Sequence, residues 1–282
     1  MTSGTLTLVA TPIGNLSDIS PRAVEALQAA DVVCCEDTRR TGMLLQHLGI
    51  SGKKYIVINE HTEFDACDEV VGKLLGGIEV ALVSDAGTPG ISDPGERLVK
   101  AAVLAGITVS SIPGPSALTM ALVMSGLSTS RFVFEGFLPA KAGARQARLQ
   151  ELAKERRTLV FYEAPHRIVE CLADMEACFG SERAATLARE LTKTYETIIP
   201  ATLGKLIERV RSDENQQKGE IVLVVGGCAA SEGALDADAE KTLKILLEEL
   251  PLRQAASLAA KITGLKKNLL YDTALSWQEI KD

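Results

Sequence analysis

The chain has 282 residues, enough for two domains or for one large domain with an appendage, and its 46% hydrophobic content is ample for buried cores. The sequence lacks a run of about 18 apolar residues, and its first residues lack the basic and then apolar pattern of a secretory signal. We therefore expect a cytoplasmic protein that makes no contact with a membrane. The net charge of −7 argues against a uniformly basic surface for nucleic acid, so only local basic patches could serve that role.

The first half alternates short apolar runs with stretches of helical periodicity, which predicts a mostly parallel sheet with helices on its faces. We expect this N-terminal α/β domain to cover residues 1–120. The predicted strands are Thr5–Ala10, Val32–Cys35, Tyr55–Ile58, Val80–Val83 and Thr108–Ile112. The predicted helices are Arg22–Ala30, Thr38–Leu48, Asp65–Leu75 and Gly95–Ala105.

The second half is also predicted to be α/β and to form a C-terminal domain over residues 121–228. Small and polar residues then predict a linker over residues 229–237. The predicted strands are Phe132–Phe134, Thr158–Tyr162, Ala184–Ala188 and Ile221–Val225. The predicted helices are Ala142–Glu155, Arg167–Cys178 and Leu203–Val210.

Residues 238–282 have only helical patterns and are predicted to form a separate helical tail. A first amphipathic helix ends at Pro251. Two further helices, Arg253–Ile262 and Leu265–Trp277, flank a turn at Thr263-Gly264. Two short helices around a glycine turn are typical of a helix-turn-helix motif.

Two segments are locally basic. Residues 141–157 hold six bases and two acids, a net of +4, and residues 251–275 hold four bases and one acid, a net of +3. The first segment has two possible interpretations: a helix face exposed to solvent, or a surface that contacts RNA. The tail could dock on nucleic acid, or it could be a packing or dimerisation appendage.

Cysteine and histidine spacing predicts no metal site. The six cysteines include no C-x-x-C pair, and the three histidines lie far apart. We expect buried free thiols in a reducing compartment.

Loops rich in glycine and proline follow several predicted strands. They are Thr11–Asn15, Asp85–Gly95 and Pro113–Ala117. In open α/β sheets, ligands bind beyond the carboxyl ends of the strands, where such loops let the backbone approach a ligand closely. The three loops therefore predict a binding site at one edge of the first sheet. The simpler alternative is that their glycines and prolines only form tight turns.

Several common motifs are absent from the sequence. No two glycines are spaced as G-x-G, so the dinucleotide fingerprint and the glycine loop of the commonest methyltransferase fold are missing. The sequence also lacks the G-x-x-x-x-G-K-[ST] phosphate loop and the G-x-S-x-G nucleophile elbow.

A series of motifs resembles the ribosomal-RNA branch of the tetrapyrrole-methylase superfamily, in that branch's order. The resemblance covers residues 5–227 and continues into the helical tail. The motifs are Leu8–Ile19, Glu36–Gly42, Ser84–Gly95, Phe134–Pro139, Phe161–Arg167, Ala188–Glu196 and Lys218–Glu220. One departure from the tetrapyrrole branch is informative: that branch often has G-D-P where this chain has Gly87-Thr88-Pro89, which favours the RNA branch.

The resemblance implies two α/β domains with S-adenosylmethionine in the cleft between them. It also implies a homodimer, and a cytidine 2′-hydroxyl in the decoding region of small-subunit ribosomal RNA as the methyl acceptor. The substrate would be that RNA or the assembled small subunit. By position, the implied cofactor contacts are Pro12, Gly87, Thr88, Pro89, Gly90, Ile91, Ser116, Ala117, Tyr162, Leu191, Lys218 and Gly219.

A sugar hydroxyl is a weak nucleophile, so a positioned base or cation would help its attack. The catalytic candidates are Glu163, Lys193 and Asp85, with the pair Glu36-Asp37 as a further possibility. Asp37 could equally cap the helix that begins at Thr38.

Arginine presents a fork of donors that matches phosphate, and lysine supplies a point charge. The RNA-binding candidates are Arg39, Arg40, Arg22, Lys266 and Lys267. We expect an acidic outer face and a basic path from residues 141–157 past Arg39 and Arg40 to the tail.

Three alternatives to the RNA methyltransferase are kept open. One is a methyltransferase of the same fold that acts on a tetrapyrrole precursor. Another is a non-catalytic RNA-binding factor for ribosome assembly. The last, a phosphate-binding α/β enzyme, is disfavoured by the missing phosphate and dinucleotide loops.

Overall fold

A computed structural model describes residues 3–59, 62–229, 235 and 237–279. The chain divides into two compact units, residues 1–228 and residues 229–282. Most of the linker predicted at 229–237 lies outside the described residues, so its conformation stays a prediction. The boundary predicted at residue 120 falls within a helix of the first unit.

The first sheet has five strands, all parallel, in the order β3-β2-β4-β1-β5. The parallel sheet predicted from strand–helix alternation is therefore confirmed. Its strands are β1 (Thr5–Val9), β2 (Val32–Cys35), β3 (Lys54–Val57), β4 (Val80–Leu82) and β5 (Thr108–Ile112). The helices of this half are α1 (Pro21–Ala29), α2 (Thr38–His47), α3 (Glu63–Leu75), α4 (Glu96–Leu104) and α5 (Ala117–Met124).

Buried side chains alternate between the two faces of this sheet, as strand geometry requires. Leu6 packs with α3 and α4 on one face, and Val9 packs with α1 and α2 on the other. Cys34 and Cys35 follow the same alternation. The prediction of buried thiols is confirmed for these two and for Cys67 and Cys171, but it is wrong for Cys178 and Cys228, which are partly exposed. A sheet covered on both faces leaves its carboxyl edge as the place for a ligand.

The second sheet is mixed, with the order β6-β7-β10-β8-β9. Only the pair β6–β7 is parallel, and the other three pairs are antiparallel. Its strands are β6 (Phe132–Phe137), β7 (Thr158–Glu163), β8 (Ala184–Arg189), β9 (Thr197–Thr202) and β10 (Ile221–Val225). Its helices are α6 (Ala142–Leu152), α7 (Ile168–Phe179) and α8 (Leu203–Ser212).

Helix α5 joins the two sheets. It follows the last strand of the first sheet, but its buried residues Leu118, Ala121 and Leu122 pack on the second sheet. The same core includes Ile13, from the loop after β1, and Val222 of β10. The loop edge of the first sheet and one face of the second sheet therefore share a hydrophobic core.

The second unit contains three helices, α9 (Ala237–Glu249), α10 (Leu252–Thr263) and α11 (Lys267–Glu279). Leu243, Ala259 and Leu270 are fully buried in its small core. Gly264 separates α10 from α11, as the predicted helix-turn-helix requires. None of the helices that the structure describes is long and apolar enough to cross a bilayer.

Two elements, α5 and β9, were not predicted from the sequence. Helix α5 is apolar on nearly every side, so it shows no helical periodicity. Strand β9 contains Pro200, which usually argues against a strand. β9 is the edge strand of its sheet and pairs only with β8 along the described chain, so a missing N–H is tolerated there.

Gly14 lets the loop after β1 pack closely against the loop after β8. A Cβ at this position would lie 2.5 Å from Lys193 Cγ, 2.8 Å from Thr192 Oγ1 and 2.9 Å from the Leu191 carbonyl oxygen. The carbonyl is backbone and cannot rotate away. The contact therefore requires glycine for its lack of a side chain.

Gly14→Ala should lower the free energy of unfolding by about 1–3 kcal/mol, because the added methyl overpacks this contact. Urea denaturation would measure the change. Gly143→Ala is the matched control, since Gly143 lies in α6 with open space around its Cβ position. That variant should be at least as stable as the wild type, because alanine favours the helix and meets no clash there. Equal stability of Gly14→Ala and the wild type would contradict the packing argument.

Candidate active site

A cavity of about 410 Å³ lies where the loop edge of the first sheet meets the second sheet. Pockets for small ligands typically measure roughly 300–1,000 Å³, so one cofactor fits. The lining residues are Ile13, Arg40, Asp85, Ala86, Gly87, Thr88, Ile91, Ser92, Asp93, Ser116, Ala117, Phe137, Tyr162, Glu163, Ala164, Pro165, Leu191, Gly219, Glu220, Ile221 and Val222.

The loop from Asp85 to Gly95 is fixed at three points. Gly87 and Thr11 exchange backbone hydrogen bonds of 2.8 and 3.1 Å. The Thr88 hydroxyl donates to the Pro115 carbonyl at 3.1 Å, which ties this loop to the loop after β5. At the far end, the buried Glu63 carboxylate accepts from the N–H groups of Gly95 and Arg97, both at 3.0 Å. The loop is therefore held in place before any ligand binds.

Tyr162 connects β7 to the start of α5. Its hydroxyl oxygen accepts a hydrogen bond of 3.2 Å from the Leu118 N–H. Its ring contacts the rings of Phe134 and Phe137 edge-on, with centroids 5.0 and 5.6 Å apart. Burial is the main cause that raises the pKa of Tyr162, so its hydroxyl stays protonated at neutral pH. Tyr162 is thus a rigid, neutral wall of the cavity.

The cavity is surrounded by unusual backbone conformations. Among the described residues, positive φ occurs outside glycine at Ser92 (63°), Glu190 (51°) and Thr192 (65°). Ser92 lines the cavity, and the other two flank the lining residue Leu191. Such conformations cost of order 1–3 kcal/mol each and are found mainly at functional sites.

Gly219 has positive φ (80°) and lies under the Glu190 side chain, where a Cβ would collide with the carboxylate. Glu190 Oε1 accepts from the Glu220 N–H at 2.9 Å and from Lys193 Nζ at 2.8 Å. Burial raises the pKa of Glu190, but these hydrogen bonds outweigh it, so the net shift is downward. The ionised carboxylate thereby fixes the loop before β10.

Four acids and one arginine line the cavity, so its lining is predominantly acidic. The acids are Asp85, Asp93, Glu163 and Glu220, and the base is Arg40. Burial, followed by the neighbouring Asp85, raises the pKa of Asp93 to about 6 despite a hydrogen bond from Ser84. Behind Asp85, burial and then the charge of Asp93 raise the pKa of Glu36 to about 7. A cation in this cavity would be stabilised by the ionised carboxylates.

Asp85 lies at the centre of this acidic group. Its Oδ1 accepts from the Asp37 N–H at 3.2 Å, and its Oδ2 is 3.3 Å from Arg40 Nη1. Its own N–H donates to Glu36 Oε1 at 3.3 Å. The side chain is therefore held in place at the cavity wall, where it could accept a proton from a bound hydroxyl.

The other two catalytic candidates have structural partners. The Glu163 side chain is fully buried, accepts from the Ala164 N–H at 2.8 Å and lies 3.3 Å from Arg167 Nε. Lys193 is absent from the lining and pairs with Glu190 and Glu220 at 2.8 and 3.2 Å. Burial lowers the pKa of Lys193, but the two carboxylates outweigh burial and raise it. A protonated lysine cannot accept the hydroxyl proton, so Asp85 is the candidate that the geometry favours.

The predicted cofactor contacts divide into three groups. Pro12 lines a neighbouring cavity, and Pro89, Gly90 and Lys218 are absent from both linings. The remaining eight line the main cavity, namely Gly87, Thr88, Ile91, Ser116, Ala117, Tyr162, Leu191 and Gly219.

Sequence reasoning missed several lining residues, above all Asp93, Phe137 and Glu220. Asp93 lies within the Asp85–Gly95 loop that predicted a site, so the signal was present but not assigned to this side chain. Phe137 and Glu220 lie within the motifs Phe134–Pro139 and Lys218–Glu220, but neither was assigned a role, because that role depends on how the second sheet packs against the first.

The predicted RNA contacts lie on several different elements. Arg40 lines both cavities, whereas Arg39 is 88% exposed and pairs with Asp37 at 3.0 Å. Asp37 also caps α2 by accepting from the Arg39 N–H, as one of the two interpretations predicted. Arg22 is exposed on α1, and Lys266 and Lys267 are exposed in the second unit.

Three of the six bases in residues 141–157 have acidic partners. Arg145 is buried and lies 2.6 Å from Asp174, and Arg148 pairs with Glu135 at 2.8 Å. Arg157 pairs with Glu155 at 2.7 Å. Arg145 is buried and cannot belong to the basic path expected from this segment. Arg148 and Arg157 are each 43% exposed, so their part in such a path stays a prediction.

Comparison with known proteins places this arrangement in a family. The family model described as Tetrapyrrole (Corrin/Porphyrin) Methylases matches residues 5–207, and the model of the RsmI C-terminal HTH domain matches residues 233–278. The chain belongs to the tetrapyrrole methylase family. The helix-turn-helix predicted for the tail is confirmed by the second match.

Relatives of this tetrapyrrole methylase are similar along its whole length. It is 54% identical over 280 residues to the ribosomal RNA small subunit methyltransferase I of Pseudomonas aeruginosa, covering 99% of both chains. It is 51% identical to the protein of the same name from Escherichia coli O157:H7, covering 98% of this chain and 96% of the relative.

Solved structures support the fold. A uroporphyrin-III-C-methyltransferase from Thermus thermophilus matches 82% of this chain with a TM-score of 0.56 and 19% identity. The methyltransferase CobJ matches 80% with a TM-score of 0.59 and 19% identity. At this identity the likeness concerns architecture alone.

Tetrapyrrole methylases use S-adenosylmethionine as the methyl donor. The cavity fits this group, because Asp85, Asp93 and Glu220 complement its positively charged sulfur and Ile13 and Leu191 supply apolar walls. Across the described parts of the chain, no group of three or more His, Cys, Asp or Glu side chains is arranged to hold a metal ion.

The affinity for S-adenosylmethionine should rise with pH. The bound cation favours ionised Asp93, whose pKa is about 6, so affinity should increase by up to about tenfold between pH 5 and 7. Calorimetric titration at several pH values would measure this.

Two controls isolate the effect. Asp93→Asn should flatten the pH dependence, and S-adenosylhomocysteine, which lacks the charged sulfur, should show a smaller slope with the wild type. Equal slopes for the two ligands would contradict a role for Asp93 opposite the cation.

Proposed function

We propose that this protein transfers a methyl group from S-adenosylmethionine to a cytidine 2′-hydroxyl in the decoding region of small-subunit ribosomal RNA. The observation that carries the proposal is the full-length similarity to ribosomal RNA small subunit methyltransferase I, which extends through the helical tail as well as the cavity. The acceptor atom and its place in the RNA rest on the resemblance of the motifs.

The methyl donor and the protein contribute different parts of the reaction. Bound S-adenosylmethionine supplies an already activated methyl group. The protein has to hold the hydroxyl oxygen in line with that group, and orientation of this kind is worth about 7–11 kcal/mol in the best intramolecular cases. The rigid loops around the cavity are suited to this task.

Asp85 is our candidate for receiving the hydroxyl proton. It faces the cavity, and its carboxylate is oriented by the Asp37 N–H and by Arg40. Loss of the proton makes the oxygen a better nucleophile as the new bond forms. Glu163 and Lys193 are positioning residues in this scheme, since each is held in ion pairs that fix the loops after β7 and β8.

Methyl transfer from radiolabelled S-adenosylmethionine tests the function. The acceptors are small subunits that lack the modification, naked small-subunit RNA and a tetrapyrrole precursor, in parallel. We expect label in the RNA at one 2′-hydroxyl. Label in the tetrapyrrole alone would overturn the substrate, and cofactor binding without any transfer would favour a non-catalytic assembly factor.

We further propose that the protein is a homodimer in the cytoplasm, where ribosomal RNA is available. Helix α5 exposes Met120, Val123 and Met124 on one face, and such apolar patches commonly mark interaction surfaces. Val123→Glu should convert the dimer to a monomer in sedimentation measurements. A wild-type chain that sediments as a monomer would contradict the proposal.

The tail is proposed to add affinity for RNA. Lys266 and Lys267 are exposed, and Lys267 begins α11. A Lys266→Glu/Lys267→Glu variant should weaken RNA binding and reduce the slope of log affinity against log salt by about 2, one for each lost phosphate contact. Cofactor affinity should not change.

Lys100→Glu/Lys205→Glu is the matched control, because both lysines are exposed on outer helices of the first unit and the change in charge is the same. If both double variants lose RNA affinity equally, the effect is one of net charge. If the tail variant binds RNA normally at low salt, the tail has no part in binding.

A further inference from the structure

A second cavity, of about 260 Å³, adjoins the cofactor cavity. Two residues, Arg40 and Asp85, line both cavities. Their side chains form an ion pair of 3.3 Å, so this pair lies at the border between the two spaces. The complete lining of the second cavity is Thr11, Pro12, Leu16, Arg40, Met43, Leu44 and Asp85.

The second cavity combines a polar border with apolar walls. Arg40 and Asp85 supply charge at the border, while Leu16 and Met43 are 44% and 64% exposed. Single exposed apolar side chains are common on protein surfaces and need no explanation. Here two of them line the same concave space beside a charged pair, which is a pattern suited to an amphipathic ligand.

Position and size both restrict the ligand. A methyl acceptor must reach the donor from a space that adjoins the cofactor cavity, and the second cavity adjoins it at the proposed base, Asp85. Its volume is below the roughly 300 Å³ at which pockets for drug-sized ligands begin. That space suits one nucleoside and is small for a tetrapyrrole macrocycle.

We propose that the second cavity is the subsite for the acceptor nucleotide of the RNA, which enters it unstacked from its neighbours. The base lies against Leu16 and Met43, the ribose faces Asp85, and Arg40 binds the adjoining phosphate. This inference rests on the proposed RNA methyltransferase function. Single-stranded RNA is commonly recognised through bases that are splayed out and stacked on aromatic rings or arginine planes. In this cavity the apolar side chains of Leu16 and Met43 would take the place of a ring.

Arg40 is suited to exchange partners when the phosphate arrives. Its side chain is 63% exposed, and its ion pair with Asp85 is a single contact of 3.3 Å, longer than a strong charge-assisted hydrogen bond. Asp85 keeps its hydrogen bond from the Asp37 N–H after Arg40 leaves. Binding of the phosphate therefore frees one Asp85 oxygen to face the ribose hydroxyl.

Methionine methyl NMR gives a binding readout that does not depend on activity. The chain has five methionines, and Met43 can be assigned with the Met43→Leu variant. Cytidine monophosphate, added up to tens of millimolar with S-adenosylhomocysteine present, should shift the Met43 signal through the ring current of the base. Inorganic phosphate should not shift it, and Met175, which is fully buried in the second-sheet core, should not respond to either.

The second test places a larger side chain in the second cavity. Met43→Trp should raise KM for the small subunit by about tenfold, which corresponds to about 1.4 kcal/mol. The affinity for S-adenosylmethionine should stay within twofold of wild type, because Met43 is absent from the cofactor cavity lining. Leu75→Trp, at another exposed apolar residue on α3, is the control and should leave all values unchanged.

The outcomes separate this inference from the proposed function. If wild-type protein labels no RNA, the proposed function is wrong. If wild-type protein labels RNA but Met43→Trp has normal KM and cytidine monophosphate leaves the Met43 signal unmoved, only the subsite is wrong. Loss of cofactor affinity in Met43→Trp would also overturn the subsite, since the substitution would then act through the first cavity.

Discussion

The close approach of two loops without an intervening side chain determines the geometry of the site. Gly14, after β1, packs against the backbone and side chains of Leu191, Thr192 and Lys193, after β8. The neighbouring Asn15 N–H donates to Thr192 Oγ1 at 3.1 Å. This hydrogen bond fixes the orientation of the two loops as well as their separation. Since both sheets supply walls of the cofactor cavity, the spacing of these loops sets the width of that cavity.

Burial also determines the charge of the cavity. Burial, followed by the charge of a neighbouring aspartate, raises the pKa values of Asp93 and Glu36 towards neutrality. Ionised carboxylates in this site would stabilise a positively charged donor. Binding and release of the cofactor are thereby linked to one set of carboxylates.

The first sheet was predictable from the sequence because its strands and helices alternate in order and each is amphipathic or continuously apolar. The loops that line the cavity were predictable from glycine and proline after β1, β4 and β5, together with the motif resemblance. Helix α5 was not predictable, since a helix whose exposed side is as apolar as its buried side lacks hydrophobic periodicity. The burial of Arg145 was not predictable either. Only the fold brings Asp174 next to Arg145, so a charge that the sequence suggests is exposed forms a buried ion pair.

The position of β10 has a consequence for how the protein is made. The five strands of the first sheet lie within the first 112 residues, so that sheet can form while the ribosome is still translating the remainder. β10 comes last in the first unit, yet it lies between β7 and β8 at the centre of the second sheet and carries Ile221 and Val222 into the cavity wall. The nascent chain therefore has a folded half early, but it gains a site for the methyl donor only when residues 219–225 have emerged and translation has reached the tail.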